Sequence, residues 1–114
     1  MQVDSLVTAL EQIESAARGF MKAPDREASQ GALLEVLTKW GQALQEPYGL
    51  DPGLNDMRNM ASRRCAAVQA NLQTMQRAAE EKFEPSPALV QQVRQLHSTV
   101  GALLPPLIKI ADRD

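Results

Sequence analysis

A chain of 114 residues and 12.5 kDa is the length of one ordinary domain and too short for two, so residues 1–114 are expected to form a single domain. Hydrophobic residues at 44% and charged residues at 23% exclude a disordered chain, while aromatics at only 4% leave Leu, Val, Ile, Met and Ala to build the core. A net charge of -2 and a pI near 5.4 provide no basic excess to neutralise a run of phosphates, which argues against nucleic acid as a partner.

The first predicted element runs from about Asp4 to Lys22, with Leu6, Leu10, Ile13, Ala17 and Phe20 recurring at helical steps of three and four. Ala23-Pro24 breaks it. A second helix is expected from about Pro24 to Glu46, carrying Leu33, Leu37, Trp40 and Leu44, with Val36 beside them. Its start lacks a good cap residue, although Asp25 and Glu27 place two carboxylates where the helix dipole favours them. The run Pro47-Tyr48-Gly49-Leu50-Asp51-Pro52-Gly53 forms the next break. Asp51-Pro52 then offers an N-cap acceptor followed by proline at the first helical position.

A third helix is predicted from about Pro52 to Phe83 on Leu54, Met57, Ala61, Cys65, Val68, Leu72, Met75 and Ala79. The step from Ala61 to Cys65 adds a second consecutive four, as in a stutter. Ser86-Pro87 repeats the cap-and-proline start. The fourth helix follows from about Pro87 to Leu104, with Leu89, Val93, Leu96, Val100 and Leu103. Pro105-Pro106 is expected to stop it, leaving Leu107 to Asp114 as a tail or a short extra turn.

Short connections join antiparallel neighbours, and no run alternates over a strand length. The predicted fold is all-α: an antiparallel, up-down four-helix bundle with a short C-terminal tail or extra turn. At about 1.5 Å per residue the first helix spans ~28 Å and the third ~48 Å. The third helix is therefore either broken, near Ser62-Arg63-Arg64, or overhangs its neighbours and needs a second copy to cover it. Gly19, Gly31, Gly41 and Gly101 fall inside predicted helices. Gly41 beside Trp40 suggests a close helix approach or room for the indole.

The reactive side chains are few. His97 is the sole histidine and Cys65 the sole cysteine, so no intrachain disulfide can form and no zinc, di-iron or haem ligand set is present. Neither a Gly-x-Ser-x-Gly elbow nor a phosphate-cradling glycine loop occurs. Cys65 lies on the apolar stripe and reads as a small buried hydrophobe. No catalytic residue, metal or cofactor is expected, and the chain is read as non-enzymatic. Met1–Ala9 does not read as a secretory signal, and no apolar run approaches the ~20 residues of a membrane helix, so a cytoplasmic location and no membrane partner are expected.

His97-Ser98-Thr99-Val100-Gly101 resembles the His-x-x-Lys-Gly stretch of histidine phosphotransfer domains, which are also helical bundles. Here Val100 stands at the lysine position, and the likeness covers five residues. It implies phosphotransfer through His97 as a remote alternative, against a plain rim histidine.

Arg58, Arg63, Arg64, Arg77 and Lys82, diluted by Asp56, Glu80, Glu81 and Glu84, read as a solvated face of the third helix. The features that point to binding are apolar. Met60 lies off the stripe of its helix, and Leu103, Leu104, Leu107, Ile108 and Ile110 form a concentrated block that either folds back on the bundle or forms a contact surface. These six are the candidate partner-binding residues. The expected function is a protein-binding module that accepts the apolar stripe of a partner's amphipathic helix. In its general description the chain is similar to the small acidic helical chaperones of bacterial flagellar or type III export, and an adaptor is equally in keeping. A structural protein that self-associates, with a homodimer as its simplest form, is the alternative.

Overall fold

The computed structural model describes residues 3–46, 48–77 and 87–113. Among them there are four α-helices and one short 3-10 helix: α1 (Val3–Lys22), α2 (Glu27–Trp40), the 3-10 turn Gly41–Gln45, α3 (Pro52–Arg77) and α4 (Pro87–Arg113). Each α-helix packs on two others, in the ring α1–α2–α3–α4, and the 3-10 turn fills in beside α1, α2 and α3. Side-chain bonds fix the sense of two pairs. Arg64 reaches Gln95 and Thr99 while Asn71, further along α3, reaches Gln92, earlier in α4, so those two helices run antiparallel. Gln69 meets Thr38 of α2 while Arg58, earlier in α3, meets Leu44 in the 3-10 turn beyond α2, so α3 runs antiparallel to the segment formed by α2 and that turn.

The predicted stripes form the core. Leu6, Leu10, Ile13, Ala17 and Phe20 of α1 are fully buried, as are Leu33 and Leu44, Ala61 and Val68, and Val93, Leu96 and Val100. Burying a side chain of Leu or Phe size is worth about 1.5–3 kcal/mol, and the low aromatic content makes aliphatic packing the main source of stability.

Helix ends follow their local chemistry. The Leu54 N–H donates to Asp51 Oδ1 at 2.9 Å and the Asn55 N–H to the Asp51 carbonyl, so Asp51 caps α3 as its sequence predicts. Arg26 precedes α2 without any side-chain cap bond. There the buried Gln30 reaches back instead and donates from Nε2 to the Pro24 carbonyl at 2.8 Å, closing the turn from inside. The predicted Ser86 cap, residues 78–83 of the third helix and Asp114 lie outside the described residues.

Two expectations are corrected and one open alternative is decided. The C-terminal segment is neither a tail nor a separate turn, because α4 continues through Pro105 and Pro106 to Arg113. Proline removes the N–H that would bond four residues back, here to the carbonyls of Gly101 and Ala102. Both of those residues are exposed, so water can satisfy the freed carbonyls. On the opposite face Leu103 and Leu107 are buried at 0% exposure and hold the helix in place across the interruption.

The open alternative concerns α3, which is unbroken at Ser62-Arg63-Arg64. The second correction is that the second element is not one helix to Glu46. It tightens into the 3-10 turn at Gly41, whose N–H donates to the Leu37 carbonyl. A Cβ placed on Gly41 would meet nothing within 4 Å, so this glycine marks the change of helix type and no close approach. Beyond the turn, Gly49 at φ 67° takes the left-handed conformation that redirects the chain toward Asp51.

Candidate functional site

The cap at Asp51 fixes where α3 begins, and a buried cation fixes its rotation. Arg58 is only 7% exposed. Its Nη1 donates to the Leu44 carbonyl at the end of the 3-10 turn, and Nε and Nη2 donate to Asn55 Oδ1 at 3.2 and 2.8 Å. A guanidinium at the C-terminal end of a helical turn complements the partial negative charge of the free carbonyls there. The sequence grouped Arg58 with a solvated face, whereas the structure gives it the task of locking α3 to the segment before it. Beside it Tyr48 is buried, with its hydroxyl donating to the Ala43 carbonyl at 2.7 Å. Burial and the nearby Glu46 carboxylate raise the Tyr48 phenol above its ordinary range, and Arg58 partly offsets them.

With Ala61, Cys65, Val68 and Leu72 turned inward, the opposite face of α3 presents Asp56, Met60, Arg63, Ala67 and Ala70 outward, all exposed and again spaced by three or four residues. From Cys65 to Gln76 the helix contains no charged residue at all. An exposed helix face ordinarily carries charge, and depletion of charge marks the centre of protein interfaces. Met60, at 41% exposure, is one of the two large hydrophobic side chains exposed among the described residues.

Met60 forms a ridge between two clefts. One, of about 230 Å³, lies between α3 and α4 and is lined by Met60, Arg63, Arg64, Ala67, Gln92 and Gln95. The other, of about 530 Å³, is lined by Gln45, Asp56, Asn59, Met60, Ser62 and Arg63. The first is braced by Arg64, whose Nη1 donates to the Gln95 carbonyl at 3.0 Å and to Thr99 Oγ1 at 2.9 Å, and by the Asn71–Gln92 side-chain bond. Arg63 and Asp56 have no side-chain partner among the described residues.

The six candidate binding residues do not form one surface. Leu103 and Leu107 are buried at 0% in the core and are unavailable to a partner while the bundle is closed. Leu104 and Ile110 are half-buried and packed against the same core. Only Met60 and Ile108, at 41% and 40%, are exposed. Ile108 stands eleven residues beyond His97, about three turns at 3.6 residues per turn, and so shares the face of α4 that bonds to α1. Met60 lies on the side where α3 meets α4. Asp56 and Arg63, which flank Met60, were hidden in the sequence within an apparently ordinary run of mixed charge.

His97 bridges α4 to α1. Its Nε2 lies 3.1 Å from Glu14 Oε1, and Arg18 lies 3.6 Å from the other oxygen of that carboxylate. An incoming phosphoryl group would therefore meet a carboxylate first, and Val100, at the position where the resemblance calls for lysine, is wholly buried. Cys65 is buried at 3% exposure, and desolvation pushes its thiol up to about 12, so it is not a ready nucleophile at neutral pH. Among the described residues no group of three or more His, Cys, Asp or Glu is placed to hold a metal ion, and no helix is long and apolar enough to cross a membrane. Comparison with family models, with curated proteins and with solved structures finds no match to this chain.

Proposed function

We propose that this chain is a non-enzymatic protein-binding module that engages an amphipathic helix of a partner along the outer face of α3, beside α4. The observation that supports it is the exposed Met60 ridge between two clefts, on a helix that carries no charge from Cys65 to Gln76. Methionine adapts its three rotatable bonds to differently shaped apolar partners, and a groove between two antiparallel helices matches the width of a third. Small size, acidic charge and an all-helical build support a role as adaptor or export-chaperone-like protein in a bacterial cytoplasm. A self-assembling structural protein is the second reading, favoured by the opposite charges on either side of Met60.

The test is capture from an extract of the native source on the immobilised chain, with the mass of the complex then measured under native conditions. A stoichiometric partner that is retained by the unaltered chain and lost by Met60→Glu, at unchanged helicity, is the expected result. A partner held equally well by Met60→Glu would overturn the assignment of this face, and the absence of any partner would overturn the reading itself.

A further inference from the structure

The exposed positions of α3 around Met60 have a symmetry that a foreign helix does not require. Asp56 lies four residues before Met60 and Arg63 three after it, both exposed, opposite in charge and lining the same cleft. We propose that, in the isolated protein, this face is covered by the α3 helix of a second copy, running antiparallel about a two-fold axis at Met60. The inference rests on the proposed role of the Met60 face and names the occupant of that face when no other partner is present.

An antiparallel pairing centred on Met60 brings each methionine against its counterpart. Asp56 then falls level with position 64 of the other helix, within about 1.5 Å along the axis of Arg63. The twofold doubles this, so both carboxylates meet a guanidinium and no like charges are opposed. A twofold interface requires such self-complementarity of one patch. Continuing outward, Ala67 falls level with Gly53 of the other helix, both small and exposed, which lets the two backbones approach closely there; the overlap ends where Val68 comes level with Pro52.

The two α3 helices overlap over residues 52–68, about 25 Å at ~1.5 Å per residue, within the 49 Å length of the molecule. The bundle itself has no other use for these side chains. Met60 is exposed, and Asp56 and Arg63 bond to nothing else among the described residues. A partner helix seated in the same place competes with the second copy.

Sedimentation equilibrium of the purified full chain, from low micromolar to near-millimolar concentration, tests this. The expected species at high concentration has twice the 12.5 kDa of one chain. Met60→Glu makes it monomeric. Asp56→Arg and Arg63→Asp each place two like-charged pairs across the axis and weaken association by about tenfold or more. The double variant, which exchanges the charges, restores association to within a fewfold of the original. All three positions are exposed, so circular dichroism should show the same helicity throughout.

A chain that stays monomeric at every concentration overturns the inference, as does a dimer indifferent to Met60→Glu or a charge-exchanged variant no tighter than the single ones. Loss of partner capture by Met60→Glu in a strictly monomeric chain would sink the second copy alone and leave the proposed function standing.

Discussion

Two buried side chains show how a single residue sets the local terms. Arg58 satisfies the Leu44 carbonyl and Asn55 from within the protein, at 7% exposure. Replacing it with Ala leaves that carbonyl without its donor and opens a gap beside Tyr48. A loss of about 2–4 kcal/mol is expected in urea titrations, well above the ordinary cost of a surface substitution. Arg58→Lys should recover only part of this, since an ammonium cannot reach both acceptors with a planar fork.

Cys65 acts through its proton. The unfolded thiol releases it from about 9, whereas the folded one retains it to about 12. Between those values the unfolded state binds fewer protons, so the stability is whole below pH 9 and declines as pH rises across that window. Tyr48 shifts in the same direction and adds to the decline. Cys65→Ala should flatten the alkaline limb of a plot of unfolding free energy against pH, on top of a pH-independent loss of about 1 kcal/mol from the emptied core volume. An equally steep limb in that variant would contradict the burial of the thiol.

At the level of helices, the tandem proline in α4 separates what local rules predict from what packing decides. Pro105 and Pro106 read as a stop because each lacks a donor and crowds the carbonyl four residues before. That rule carries no knowledge of Leu107, which reaches the core only if the helix continues. Restoring one donor tests the balance. Pro105→Ala, at an exposed position, should raise stability by about 1–3 kcal/mol, read as a higher Tm. No gain would show that the Gly101 carbonyl is already well satisfied.

Much else at this level was legible beforehand. The four apolar stripes, the Asp51 cap and the buried Cys65 all follow from spacing and from local donors and acceptors. The change to a 3-10 turn at Gly41 and the burial of Arg58 were not legible, since both depend on carbonyls and cavities contributed by other parts of the chain. The candidate site was legible only in fragments. Met60 could be found because it breaks its helix's stripe. The division of Leu103 and Leu107 from Ile108 could not, because it turns on whether α4 passes its prolines.

For the whole molecule, the ring of four helices leaves its charges unevenly placed. Seven acids and four bases lie between residues 1 and 50, on α1, α2 and their connections, while α3 and α4 bear Arg58, Arg63, Arg64, Arg77, Arg94, Lys109 and Arg113 against Asp56 and Asp112. The core holds both halves together through aliphatic contact, so this separation contributes little to stability. It does act at a distance. At low ionic strength the screening length is ~30 Å at 0.01 M salt, comparable with the molecule itself, and falls to ~10 Å at 0.1 M. Two copies drifting together in dilute buffer would be drawn acidic flank to basic side, so the field turns α3 of one away from α3 of the other. Added salt should relax that misdirection at a distance while loosening the Asp56–Arg63 pairs once the two faces have met.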